Sequence, residues 1–301
     1  MKKVSAGIDI GGTNTVFGWV ESNGNFLWRG KIKTADYKNP KELVKQVSQQ
    51  LLNNLAENEA LGIGIGAPNG NYYKGTVEFA PNLDWPEYVP LKDYFNKYFD
   101  MPVIVTNDAN ATALGEMVYG SAKGVNNFIM ITLGTGLGSG IVINGQVVYG
   151  HDAFAGELGH VIIEEGGRLC GCGRRGCLET YASATAISTT AKELTSKEYN
   201  SAQVFDAANK GEKWALDAFD FTAKKLGMAL ANVVAITSPR CIYLFGGLAQ
   251  SGDLLFKPTK QYMEENLLSI YKNKIQLLPS SLNGADAAIL GASALVWKEI
   301  C

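Results

Sequence analysis

The sequence predicts an α/β protein built from two similar domains, and three observations predict it. At 301 residues the chain is long for one hydrophobic core. Short apolar runs that end in Gly, Asn or Asp alternate with stretches of helical periodicity. A glycine-tipped hairpin at residues 8–24 recurs, with its parts in the same order, at residues 128–145, which suggests an internal duplication with one hairpin in each of two facing domains.

Composition narrows the class of function. Apolar residues make up 46% and charged residues 19%, with a net charge of -2, as in a soluble globular protein. A surface for nucleic acid or membrane would show a basic excess or block, and none is present, so neither is expected as a partner. The chain reaches Asp9 after too few apolar residues for a signal peptide, and no apolar run approaches the roughly 20 residues of a membrane span. A cytoplasmic location is expected. Three of five cysteines fall within residues 170–177, which reads as a metal site before a disulfide framework. Cys241 and Cys301 are isolated and read as structural or incidental.

The first strand closes in Asp9-Ile10-Gly11-Gly12-Thr13-Asn14. Adjacent glycines let backbone approach a bulky anion, where amides and the Thr13 hydroxyl donate to phosphate oxygens, and Asp9 is placed to hold a hydrated Mg²⁺. One such turn is equally a tight hairpin without a ligand. Asn39 and Pro40 then open an amphipathic helix bearing Leu43, Val44, Val47, Leu51, Leu52 and Leu55 on one face. Residues 61–66 alternate Ile with Gly, as a strand closely approached by its neighbours, and end at the turn Ala67-Pro68-Asn69-Gly70. Residues 71–85 lack helical periodicity and form an ordered loop or short strands presenting Asn82, as a turn residue or as a fixed donor and acceptor. A buried strand at 102–106 delivers Asn107 and Asp108 at its carboxyl end, where α/β sheets bind ligands, and a helix follows over 111–119. Asp108 reads equally as a helix cap and as a base.

The second hairpin carries Gly134-Thr135-Gly136-Leu137-Gly138 at its tip and ends at Asn144-Gly145. Two such tips make a phosphate clamp without a Walker lysine, and no Gly-x-x-x-x-Gly-Lys-Ser/Thr occurs. Each glycine cluster leads into a strand and not a helix, which excludes a Rossmann reading. A strand at 241–245, preceded by a helix over 212–238, ends in Gly246 and Gly247, which could admit a flat base or ribose. A last apolar helix covers 285–297.

Between them lie Gly156-Glu157-Leu158-Gly159-His160 and Cys170-Gly171-Cys172 through Cys177-Leu178-Glu179. His160, Cys170, Cys172 and Cys177 match a tetrahedral zinc site, and with four protein ligands that zinc is structural. Metal on one nitrogen of His160 leaves the other as a fixed N–H donor. Asn82, Asn107, Asp108, Glu157 and Glu179, with His160, supply many acceptors and few cations, which suits a neutral polyhydroxylated ligand such as a hexose.

Asp-Ile-Gly-Gly-Thr at 9–13, Ala-Pro-Asn-Leu at 80–83, Asn-Asp-Ala-Asn at 107–110, Gly-Thr-Gly at 134–136, Gly-Glu-Leu-Gly-His at 156–160 and the cysteine run at 170–179 together resemble the ROK family of repressors and sugar kinases, in family order over essentially the whole chain. The resemblance implies an actin-like, hexokinase-like ATPase fold with two α/β domains around a cleft. It places the smaller domain at 1–117 plus 290–301 and the larger, with the zinc loop, at 118–289. It implies ATP-dependent phosphorylation of glucose at its 6-hydroxyl, with ATP, Mg²⁺ and structural Zn²⁺. Position by position, Asp108 matches the family's base, Asn82, Asn107, Glu157, His160 and Glu179 its sugar ligands, and His160 with the three cysteines its zinc ligands. Asn69 departs from the family's usual glycine in the turn that touches the sugar. With Asp9 so near the start of the sequence, a repressor's DNA-binding helices are not expected, and a homodimer is what the family suggests. A kinase for N-acetylmannosamine, allose or fructose, and a non-catalytic sugar sensor, are the alternative readings.

Overall fold

The computed structural model describes residues 1–282 and 284–300; Cys301 lies outside them. The chain divides into two compact units, one of residues 1–125, 147–155 and 281–301, the other of residues 126–146 and 156–280. The boundaries anticipated at 117/118 and 289/290 differ from these crossing points, and the excursion at 147–155 had no counterpart in the sequence reading.

The first unit opens with β1 (Lys3–Ile10), β2 (Asn14–Glu21) and β3 (Phe26–Lys33), followed by α1 (Pro40–Asn53) and β4 (Glu59–Gly66). Three short strands, β5 (Gly70–Asn71), β6 (Thr76–Glu78) and β7 (Tyr88–Val89), make a small sheet of their own, before α2 (Leu91–Phe95), β8 (Val103–Thr106) and α3 (Asp108–Val118). The main sheet runs β3-β2-β1-β4-β8, with β1, β4 and β8 mutually parallel. Alternation along β1 sends Val4, Ala6, Ile8 and Ile10 into a core with Leu43, Val44, Val47 and Leu51 of α1. Asn39 caps α1 as expected, accepting from the Lys41 N–H at 3.0 Å. Strand β3 escaped the sequence reading because its inner face, Phe26, Trp28, Gly30 and Ile32, is only half-buried at the sheet edge.

The second unit repeats this plan. It holds β9 (Phe128–Leu133), β10 (Leu137–Ile143), β11 (Gln146–Val147), α4 (Ala184–Thr195), α5 (Ser201–Asn209), α6 (Lys213–Thr237), β12 (Cys241–Phe245), α7 (Asp253–Asn266) and β13 (Gln276–Pro279). Its sheet runs β11-β10-β9-β12-β13, so an antiparallel hairpin flanked by two parallel strands occurs in both units. Asn144 and Gly145, both left-handed at φ 53° and 74°, make the tight turn between β10 and β11. Ile129, Ile131, Ile242 and Leu244 pack with Leu226, Leu230 and Val234 of α6 to form the core.

The chain then returns to the first unit as α8 (Gly284–Glu299), which lies on β1, β4 and α3. A methyl group on Gly7 would lie 2.0 Å from the Ile289 oxygen, and one on Gly64 1.9 Å from the Ala292 oxygen, so only glycine admits this helix. That contact explains Gly64 within the Ile/Gly alternation of β4. The excursion at 147–155 is held by stacking of Tyr149 on Tyr72 at 3.9 Å and by donation from Asn71 Nδ2 to the Asp152 oxygen at 3.0 Å. Among the described residues no helix is long and apolar enough to cross a membrane.

Candidate active site

In the first unit the site is built on the carboxyl ends of three parallel strands. Register places Asp9 of β1 beside Gly66 of β4, and Gly66 beside Thr106 of β8, immediately before Asn107 and Asp108. Asn107 is the N-cap of α3; its Oδ1 accepts from the Asn110 N–H at 2.9 Å. That leaves its amide NH₂ as the group able to donate to a ligand. Asp108, read from sequence as cap or base, is therefore not the cap. It is the first residue of α3, and its Oδ1 accepts from the Ala109 N–H at 2.8 Å.

Burial first, and the neighbouring Asp108 charge second, push the Asp9 carboxyl up to about 7. The Asp108 side chain still reaches solvent, yet the protein packed around it raises its proton affinity by desolvation, opposed in part by the Ala109 N–H. Two neighbouring carboxylates cannot easily both ionise, a condition suited to a cation and to a base.

The first hairpin tip adjoins them. The Gly11 N–H is engaged by the Asn14 oxygen at 3.0 Å, so Gly11 closes the turn instead of offering an amide to phosphate. The Thr34 N–H donates to the Thr13 oxygen at 2.9 Å, and the Thr15 and Thr34 hydroxyls pair at 2.8 Å, which ties down the tip. A methyl on Gly12 would lie 2.5 Å from the Asn82 oxygen, so this tip and the expected sugar residue pack together. A cavity of about 190 Å³ opens beside them, bounded by Gly12, Thr34, Tyr37, Asn82 and Trp85.

In the second unit the tip repeats this chemistry. The Gly134 N–H is engaged by the Gly136 oxygen at 3.0 Å, and a methyl on Gly136 would lie 2.7 Å from Glu179 Oε2. Thr135 stands at the edge of a cavity of about 510 Å³ formed with the first turns of α4 and with Glu198, Tyr199, Asn200 and Gln203. Gly246 is left-handed at φ 104° and brings β12 against the end of β9, where its methyl would lie 2.6 Å from the Leu133 oxygen. A methyl on Gly247 would meet nothing within 4 Å.

The ligating atoms of His160, Cys170, Cys172 and Cys177 lie within 4.8 Å of one another. Cys170 Sγ is 3.6 Å from His160 Nδ1, and Cys172 Sγ is 3.7 Å from Cys177 Sγ. A tetrahedron with Zn–S near 2.3 Å has edges of about 3.8 Å, so the cluster fits a structural zinc site. With Nδ1 on the metal side, Nε2 of His160 faces Glu157 Oε2 at 4.0 Å and is the nitrogen left for a ligand. Glu179 Oε1 lies 2.9 Å from Cys170 Sγ and 3.7 Å from His160 Nδ1, so the cysteine loop and this carboxylate are one assembly.

Several positioning residues gave weaker signals in the sequence. Ser139, a lone hydroxyl in apolar β10, accepts from the Leu158 N–H at 3.3 Å and donates to the Gly156 oxygen, bracketing Glu157. Arg168 donates to the Thr180 oxygen at 2.7 Å and to Thr190 Oγ1 at 3.0 Å while lying over the Tyr181 ring, which braces the segment after Glu179. In the sequence Gly66 shows only as part of an alternating strand.

The sequence model of the ROK family matches residues 5–299. The chain belongs to the ROK family. Among its ROK relatives, the glucokinase of Halalkalibacterium halodurans is 36% identical over 314 aligned positions, covering 97% of this chain and 94% of that protein. The Thermotoga maritima glucokinase is 34% identical, with 98% and 97% covered. The crystal structure of a ROK glucokinase from Streptomyces griseus in complex with glucose and AMPPNP superposes with a TM-score of 0.83 at 32% identity, covering 98% of this chain and 99% of that one. The actin-like, hexokinase-like ATPase fold expected from the motifs is that of these ROK structures.

Proposed function

We propose that this chain is an ATP-dependent glucokinase that phosphorylates the 6-hydroxyl of glucose with Asp108 as general base. The observation that carries the reading is near-full-length similarity to ROK glucokinases, one of them bound to glucose and AMPPNP. Asn82, the Asn107 amide, Glu157, His160 Nε2 and Glu179 take the sugar hydroxyls. Asp108 accepts the O6 proton as O6 bonds to the γ-phosphorus and the bond to the β,γ-bridging oxygen breaks, releasing ADP. A base in this position contributes roughly 10² to 10⁴ in rate, and its raised proton affinity makes it the stronger base. Asp9 is placed to hold Mg²⁺, which when bound neutralises charge on the phosphates. Gly12, Thr13 and Asn14 of the first tip and Thr135 and Gly136 of the second cradle phosphate oxygens, while Gly11 and Gly134, whose N–H groups are engaged within the turns, shape the tips. The cavity at Thr135 and Tyr199 has the size of a nucleoside site, and Gly246 and Gly247 are the residues assigned to the adenosine. The zinc of His160 and the three cysteines holds Glu157 and Glu179 in place and takes no part in the chemistry.

A cytoplasmic homodimer with no nucleic-acid partner completes this reading. The deciding experiment measures ADP release from ATP with glucose, fructose, allose and N-acetylmannosamine. Glucose is expected to give the highest kcat/KM. ADP release that no sugar stimulates would leave a sugar sensor in its place, and a preference for another hexose would move the specificity.

A further inference from the structure

Two residues of the first unit adopt a left-handed backbone without being glycine on either side of the β5–β6 hairpin: Asn69 at φ 50° and Phe79 at φ 49°. Asparagine tolerates this region, but a bulky aromatic persists there only where its surroundings enforce it, and such residues gather at functional sites. The enforcing contacts are specific. Asn69 Nδ2 donates to the Phe79 oxygen at 3.0 Å, the Glu78 N–H donates to the Asn69 oxygen at 3.3 Å, and the Phe79 N–H donates to the Glu87 oxygen at 2.7 Å. Phe79 is thus held at its carbonyl by a side chain and at its amide by the backbone, although its ring is 65% exposed and gains little from burial.

What this bend delivers is the turn Ala80-Pro81-Asn82-Leu83. The Leu83 N–H donates to the Ala80 oxygen at 3.2 Å, and Leu83 is only 7% exposed, anchoring the far side. Asn82, between the two anchors, is exposed, with its backbone against Gly12. The direction in which Asn82 leaves the turn is therefore set upstream by Phe79 and downstream by Leu83.

We propose that Asn69 is a positioning residue for sugar recognition: its amide latches the Phe79 carbonyl, fixes the left-handed bend, and so sets where Asn82 meets the hexose. This rests on the glucokinase reading above. Glycine at 69 adopts the same backbone but removes the donor. Aspartate keeps the volume and sets a carboxylate against the Phe79 oxygen. Because the latch acts on ground state and transition state alike, its loss raises KM and leaves kcat nearly unchanged.

The experiment compares wild type, Asn69→Gly and Asn69→Asp by hydrogen exchange at the amides of residues 78–83 in the ligand-free protein, and by steady-state kinetics with glucose. Both variants are expected to exchange faster in that segment alone and to raise the glucose KM by about five- to tenfold, the loss of one hydrogen bond. Unchanged exchange in Asn69→Gly overturns the latch. Faster exchange with an unchanged KM overturns its part in recognition. If wild type turns over another hexose and not glucose, only the glucokinase reading fails, and the KM comparison is made with that hexose. A wild type inert toward every hexose overturns both.

Discussion

Asp9 and Asp108 flank Gly66: a methyl group on this glycine would lie 3.5 Å from Asp9 Oδ1, 3.6 Å from Asp108 Cα and 3.2 Å from the Ala111 Cβ. The proposed metal carboxylate and the proposed base thus share one gap in the sheet edge, kept open by an absent side chain. Gly66→Ala is close to ordinary contact and should be tolerated in the fold. Gly66→Val has no room for its methyls and should lower kcat/KM by about 10²-fold or more, as a displacement on the order of 1 Å can. Parallel kinetics and melting curves on both variants check this.

Asp108→Asn keeps the side chain's shape and an acceptor for the Ala109 N–H while removing its basicity. Glucose affinity by calorimetry should persist and kcat should fall by roughly 10² to 10⁴. The wild-type base works only when deprotonated, and the protein packed around it raises its proton affinity. Activity is therefore lost as pH falls, with the acid limb lying above the pH range of an ordinary aspartate near 4. A pH–rate profile without that elevated limb would remove Asp108 from the role.

Asp9 makes a stability prediction in Mg²⁺-free buffer. Its folded carboxyl is raised to about 7 from 3.8, so the protonated form is favoured in the fold. The stability linked to that proton is fully present below the unfolded value and is lost as pH rises through about 7. Asp9→Asn carries no such charge. Its Tm should match wild type at low pH and exceed it at pH 8, while its Mg-ATP affinity falls.

The glycines of the second tip should separate under substitution. Gly134→Ala meets nothing within 4 Å and should melt like wild type, whereas Gly136→Ala collides with Glu179 Oε2 at 2.7 Å. Gly136→Ala should raise the glucose KM through the displaced carboxylate. Equal KM values for the two variants would contradict the contact.

Purified protein should contain one zinc per chain by elemental analysis. Cys170 and Cys177 are buried and Cys172 is exposed, so a chelator gains access on the Cys172 side. Cys172→Ser should lose the metal, lower Tm and weaken glucose binding through Glu157 and Glu179. Cys241→Ser, remote in β12, should retain the zinc.

The features legible in the sequence were those decided within a few residues. The two glycine tips, the Asn39 cap on α1, the left-handed turn at Asn144-Gly145 and the cysteine spacing of the zinc loop depend on local backbone geometry and ligand chemistry, which spacing records. Segments whose signal is their packing partner were missed: β3 at a half-buried edge, and the helices α4, α5 and α7, which cover the core of the second unit. Asn107 and Asp108 could not be told apart as caps, since both residue types accept an amide and only the start of α3 assigns the role.

By itself, then, the sequence determined the family, the duplicated hairpins and the cysteine–histidine cluster that fits zinc, and it supplied the residues proposed for sugar and phosphate. Tertiary structure decided which of them meet. Gly66 lies between Asp9 and Asp108 because three parallel strands end in register, Gly12 abuts Asn82 across 70 residues of chain, and α8 seats on Gly7 and Gly64 from the far end of the sequence. Such contacts are fixed by strand register and close packing between remote segments, and no local pattern of residues carries that information.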